Sequence, residues 1–197
     1  MALTLTTRSG RIELRPPSAE YDAAVVLMRS HPFALRYLPN SPLTNTIEDV
    51  RALRLAILSD KNRIQFQIVT TDTTHDLVGS ATLHRIDRAR RSCDVGIMLR
   101  EEYSRGGYAT DALHAMMKHA FEEEKMHRVS FHTSDRNAPM RGWLEMAGAK
   151  LEGVLREAWP VGDADFMDCC IYGILESDWE QMVKPKLEER IDRLRSA

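Results

Sequence analysis

The chain has 197 residues, of which 43% are apolar and 28% charged, with a formal net charge of −2. These are the proportions of a globular protein with room for a substantial core, and they set aside disordered and fibrous classes. A near-neutral balance also speaks against nucleic acid as a partner, since a phosphate backbone calls for a basic face, and no run of about 18 apolar residues offers a membrane span.

Met1 to Thr6 lacks the basic flank and long apolar stretch of a secretory signal. The three cysteines, Cys93, Cys169 and Cys170, are odd in number and two are adjacent, which does not make a disulfide framework. A reducing, cytoplasmic setting is therefore expected. The seven histidines are scattered without zinc-type spacing, so no metal is expected.

In chain order, residues 11–16 read as a first strand, with Ile12 and Leu14 alternating with charged neighbours and Pro16-Pro17 ending the ladder. Ser18 caps a helix over 19–29 whose apolar stripe is Tyr21, Ala24, Val25 and Met28. The proline-punctuated stretch 31–42 is a loop. A second helix opens at Thr46-Ile47-Glu48-Asp49 with a capping-box pattern and turns Ile47, Val50, Leu53 and Ile57 inward. Strands follow at 64–70 and 77–84 across the polar turn 71–76, then at 93–99. The cluster Arg85, Arg88, Arg90 and Arg91 between them is open to two readings, a solvated hairpin loop or help for a polyphosphate ligand.

The most informative stretch is 105–110. Two adjacent glycines, Gly106 and Gly107, stand between the β-favouring run Asp94 to Leu99 and a helix with Leu113, Met116, Met117, Ala120 and Phe121 on one stripe. A helix that starts at glycines presents unpartnered N–H groups and its positive end to an anion, with no Cβ in the way. The Walker and dinucleotide fingerprints are both absent. Beyond it come a strand over 128–133, a short helix capped by Asn137 and closed by Gly148, and strands over 153–159 and 166–175. The tail, 178–197, alternates charged and apolar residues as an exposed helix does. Strands and helices thus interleave as β-α-α-β-β-β-α-β-α-β-β, an α/β pattern.

Ser104-Arg105-Gly106-Gly107-Tyr108-Ala109 resembles the acetyl-CoA pyrophosphate loop of the GNAT acetyltransferases, Gln/Arg-x-x-Gly-x-Gly/Ala, with serine at the first position. Further matches fall in order along the chain: Ile12 to Pro16, Glu20 to Ala23, Arg36 to Pro39, Asn137 with Trp143 to Ala149, and Glu152 to Arg156. Together they are similar to the RimJ/RimL-like branch, which acetylates protein N-termini and small amines. The resemblance implies a GNAT domain over residues 11–180 with a mixed sheet of about six to seven strands flanked by about four helices, and a helical tail over 181–197. It implies acetyl-CoA as acyl donor, and as acceptor a small-molecule amine or a peptide N-terminus. In the family the loop amides hold the pyrophosphate and the preceding strand pairs with the pantetheine arm, which points here to Arg105, Gly106, Gly107, Tyr108, Ala109 and Thr110, and to Ile97, Met98 and Leu99. Asn137 matches the family's cofactor-contacting asparagine, and Phe33, Tyr37 and Leu38 fall where the family covers its acceptor.

An amine protonated at neutral pH must lose a proton before it attacks, so a base is expected. Asp94, two residues before Gly96 where the family often has glutamate, is the first candidate and Glu102 a further one, with Glu101, His84 and His132 behind them. The family's serine and tyrosine acids correspond to Met140 and Leu144, which donate no proton, so the leaving thiolate is expected to take its proton from water or from an unmatched residue such as Tyr172. The alternative reading is a non-catalytic acyl-CoA-binding or sensor protein. The turn Asp163-Ala164-Asp165 with Asp168 offers a cationic acceptor a partner, and the tail leaves a homodimer open.

Overall fold

The computed structural model describes residues 3–38, 45–162 and 164–196. Pro39 to Pro42 of the proline-punctuated loop and Asp163 of the acidic turn lie outside the described residues.

Eight strands form one sheet: β1 (Leu5–Thr6), β2 (Ile12–Arg15), β3 (Ile64–Thr70), β4 (Leu77–Asp87), β5 (Ser92–Leu99), β6 (Arg128–Ser134), β7 (Lys150–Val161) and β8 (Asp165–Leu175), in the order β1-β2-β3-β4-β5-β6-β8-β7. The expected six to seven strands gain β1, whose two residues are too short to show alternation. All neighbours run antiparallel except β5 and β6. The helices are α1 (Asp22–Ser30), α2 (Pro32–Leu35), α3 (Ile47–Ser59), α4 (Tyr108–Lys118), α5 (Ala138–Ala147) and α6 (Lys184–Ser196). The mixed sheet flanked by helices is the architecture that the resemblance implies.

Each face of the sheet is covered separately. On one, Phe66, Ile68, Val78, Ala81, Leu83, Cys93 and Val95 pack against Leu113, Met116 and Met117 of α4, Leu144 of α5 and Leu187 of α6. On the other, Tyr21, Ala24 and Val25 meet Val69 and Leu77 beneath α1 and α3. The capping box expected at Thr46 forms, Thr46 Oγ1 accepting from the Asp49 amide at 3.1 Å while Asp49 accepts from the Thr46 amide at 2.9 Å.

The tail is not the exposed helix that its charges suggest. Val183, Leu187 and Ile191 are buried against the α4 layer. Arg8 pairs with Asp192 at 2.8 Å, and Glu188 lies 3.3 Å from His114 Nε2 on α4. Leu194 reaches the turn ahead of α4, where it would be the nearest neighbour of a Cβ on Gly107.

Candidate active site

The one parallel contact in the sheet is short. β5 and β6 pair only through Ser92 with Arg128, Cys93 with Val129 and Asp94 with Ser130, although β5 runs on to Leu99 and β6 to Ser134. Beyond Asp94 the strands diverge, and the edge of β5 over 95–99 that faces β6 has no strand beside it among the described residues. That edge carries Ile97, Met98 and Leu99. Its unpaired main chain is what an extended ligand arm needs in order to add as a further strand.

At the end of β5 the chain makes a single turn, Glu101–Tyr103, and enters the glycine loop. Gly107 is the N-cap of α4 at φ +82°, and Arg105 also sits in the left-handed region at φ +66°. None of the hydrogen bonds among the described residues uses the amides of Arg105, Gly106, Gly107, Tyr108, Ala109 or Thr110, and the first helical bond is the Asp111 amide to Gly107 O at 3.1 Å. Six successive N–H groups at the positive end of a helix make an anion site. Arg11 supports the loop from behind: it donates to Gly106 O at 2.8 Å and lies over the Tyr108 ring at 4.6 Å. Asp111 fixes Arg11's segment by accepting from the Ser9 amide at 3.1 Å and from Ser9 Oγ at 2.5 Å.

Thr110 has a second task, since its Oγ1 accepts from Trp143 Nε1 of α5 at 3.1 Å. This bond ties the start of α4 to α5. Asn137 caps α5, its Oδ1 accepting from the Met140 amide at 3.2 Å. The two helices therefore stand together on one side of the opening between β5 and β6.

Asp94 lies at the vertex of that opening, buried, on the opposite face of the sheet from α4. The register β4 to β5 pairs it with His84. Three groups converge on its Oδ2: Arg85 in a close ion pair, His84 Nδ1 at 4.0 Å and His132 Nε2 at 3.9 Å. Strand alternation alone would send Arg85 to the other face from His84. The register shift after His84 and the left-handed Arg85, at φ +51°, bring both to one side. His84 Nε2 lies 3.9 Å from where a Cβ on Gly96 would stand, so the glycine leaves the ring open toward the strand edge.

Burial lowers the affinity of both imidazoles for a proton despite the opposing pull of Asp94, which keeps them neutral at pH 7. A neutral imidazole accepts a proton. The sequence reading ranked these histidines behind Asp94, because single-strand periodicity gives no cross-strand partner; the pairing of His84 with Asp94 and of Asp94 with Ser130 supplies it. The thiols do not compete as nucleophiles, since burial pushes Cys93 up to about 12 and raises Cys169 and Cys170 as well.

The other expected site residues make contacts of their own. Tyr172 is fully buried on the α4 and α5 face, where its hydroxyl donates to Glu145 Oε1 at 3.0 Å and accepts from Arg141 Nε at 3.3 Å. The phenol's proton is thus engaged by Glu145. Glu102 is exposed and pairs with Arg100 at 2.5 Å. Phe33 and Tyr37 meet edge to face at 5.9 Å around α2, and Leu38 beside them is half-buried. The basic hairpin is neutralised internally, with Arg88 on Glu124 at 2.9 Å, Arg90 on Asp87 at 3.2 Å and Arg91 on Glu176 at 3.0 Å. No cluster of metal-ligating side chains occurs among the described residues, and no described helix is long and apolar enough to cross a membrane.

Residues 11–150 match the family model described as an acetyltransferase (GNAT) domain. YnaD of Bacillus subtilis (strain 168), an N-acetyltransferase by name, is 25% identical over 145 residues, which cover 74% of this chain and 82% of that one. YdaF of the same organism bears the name of a ribosomal N-acetyltransferase; it is 29% identical over 104 residues, 53% of this chain and 56% of its own length. RimJ of Mycobacterium smegmatis, solved in complex with CoA-disulfide, shares the fold with a TM-score of 0.82 over 96% of this chain and 93% of that one, at 21% identity.

Proposed function

The chain belongs to the GNAT acetyltransferase family and is thus an acyltransferase; on that premise we propose that it falls on the RimJ/RimL-like branch and moves an acetyl group from acetyl-CoA to a primary amine by direct attack within a ternary complex. One observation carries the reading: six amides at the head of α4, unpartnered among the described residues, stand next to the edge of β5 that is likewise unpaired. The residues fit the donor. Amides 105–110 suit a diphosphate, the edge over 97–99 suits a pantetheine arm, and Asn137 sits at the neighbouring end of α5.

Acetyl-CoA supplies a thioester, whose carbonyl carbon is open to an amine. The chain's own residues handle protons and position. His84, neutral and facing the edge at Gly96, takes a proton from the attacking amine as the new C–N bond forms and the C–S bond breaks. Asp94 balances the imidazolium that results. Arg85 pairs with the Asp94 carboxylate, and His132 approaches the same oxygen. Phe33, Tyr37 and Leu38 wall the acceptor side. Coenzyme A thiolate is a tolerable leaving group near neutral pH, given a thiol pKa of about 8.5, so water suffices in place of the missing acid.

The reading of a small-molecule amine or a peptide N-terminus as acceptor, acting in the cytoplasm, rests on the family and on the relatives' names. A sensor that binds acyl-CoA without turnover is the competing reading, motivated by Ser104, Met140 and Leu144. Calorimetric titration with CoA and thiol release from acetyl-CoA across an amine panel separate the two. Binding together with amine-dependent release is expected. Binding without release from any amine leaves the sensor standing, and no binding of CoA overturns both.

A further inference from the structure

We infer that the acceptor amine carries an anionic group, a carboxylate or a phosphate, held by Arg63 and Arg29 on the α1 face of the sheet beside His84. The inference builds on the acetyltransferase reading and names its substrate class.

Arg63 stands one residue before β3. The register of Ile64 with Leu83 sets it across from His84, and residues opposite one another on antiparallel strands share a face. Arg63, His84 and Asp94 thus form a row across the sheet, on the side where the amine is to be deprotonated. Along that row the charges are unevenly matched. Arg85 has Asp94, and nearby Arg54 has Asp22 at 2.9 Å. Arg63 has no carboxylate within ion-pair distance among the described residues, and its Nε is buried without any partner.

Arg29, half-buried in the last turn of α1, donates to Asn45 Oδ1 at 3.4 Å and has no carboxylate within ion-pair distance among the described residues. Burial, with the Arg63 guanidinium next in effect, holds it below the ordinary arginine range. A guanidinium whose Nε–H is buried without a partner is an unfavourable arrangement in a protein alone. An anion held there satisfies the orphan, and the guanidinium fork matches carboxylate and phosphate oxygens.

The opposite class is disfavoured by the same geometry. A polycation would meet two uncompensated arginines. Two of the acids that seemed to invite one are engaged: Asp165 pairs with Arg136 at 3.0 Å, and Asp168 accepts from the Glu157 amide at 2.8 Å.

The test is steady-state thiol release with matched acceptors: an α-amino acid against its carboxamide, an aminoalkyl phosphate against its amino alcohol, and spermidine as the polycation. One anionic member is expected to exceed its neutral counterpart by about tenfold or more in kcat/KM, and which pair does so tells carboxylate from phosphate. Arg63→Gln is expected to bring that ratio toward one, and Arg63→Lys to retain part of it. Arg29→Gln gives the same readout should Arg63→Gln fail to fold, with CoA titration confirming an intact donor site in each variant. Ratios near one in the unsubstituted protein, a preference for spermidine, or a ratio that survives both glutamine substitutions would overturn the inference. Release with neutral amines alone sinks this inference and spares the acetyltransferase reading, whereas no release with any amine sinks both.

Discussion

Gly107→Ala is the most direct challenge to the anion site. The residue sits at φ +82°, and a Cβ there would stand 2.8 Å from Leu194 Cδ1 and 3.3 Å from the Arg11 guanidinium. An alanine in the left-handed region costs about 1–2 kcal/mol. The Leu194 methyl lies at the end of a 41% exposed side chain and can move, so the steric part is small. A domain of this size loses roughly 2–4 °C of Tm per kcal/mol, which gives a fall of about 2–8 °C by thermal melt. The effect on donor binding should be larger. Relieving the strain rotates the peptide that Arg11 holds through Gly106 O, and so re-aims the Gly107 amide. A hydrogen bond to a charged group contributes about 1.5–3 kcal/mol, so calorimetry should show CoA binding weakened by about tenfold to a hundredfold. A variant that melts lower as calculated but binds CoA within twofold of the parent would show that these amides do not grip the diphosphate. Arg105→Gly is the control: it relieves the left-handed strain at φ +66°, and it should leave CoA affinity within about threefold, since the amide stays and only an exposed side chain goes.

Three further outcomes follow from the geometry. Tyr172→Phe should lower stability by about 1–2 kcal/mol in denaturant melts through the lost bonds to Glu145 and Arg141, with kcat within about twofold; a kcat loss beyond a hundredfold would make the phenol a participant. Trp143→Phe, which deletes the indole N–H bonded to Thr110, should raise KM for acetyl-CoA more than it lowers kcat, and the reverse split would argue against its role in placing α4. Stability should fall as pH drops below about 6.5, because burial lowers the pKa of His84, His114, His119 and His132. The unfolded chain then binds more protons than the native one between the unfolded pKa and the depressed native values, so ΔG of unfolding rises with pH across that window. Urea melts at pH 5 and pH 7.5 measure the difference, and equal stability at the two would contradict the burial of these rings.

The fold was largely legible because the chain keeps its local rules where the site is made. The apolar run to Leu99, the glycine pair and the Leu113 to Phe121 stripe each stand out alone, and their order gives strand, loop and helix. What escaped depends on pairing. His84 and His132 carry no signal as single-strand residues, and only the register brings them to Asp94. Arg85 reaches the same carboxylate through a register shift that no alternation shows. The tail misled because its charges dominate, yet Val183, Leu187, Ile191 and Leu194 recur at intervals of four, four and three, a helical stripe that was there to be read. Tyr172 looked available because sequence does not reveal Glu145 and Arg141 closing over it.

Gly79 has a bearing on how the molecule would admit a ligand. Any Cβ at this position would collide with Met98 O and with Leu99, so β4 and the far end of β5 approach closely there. The wedge on the other side of β5 can widen only if the limb made of β6, β8 and β7 swings with α5, pivoting on the three residue pairs that end at Asp94. The sheet would then behave as two boards on a short hinge, with the Trp143 to Thr110 bond as the latch between them.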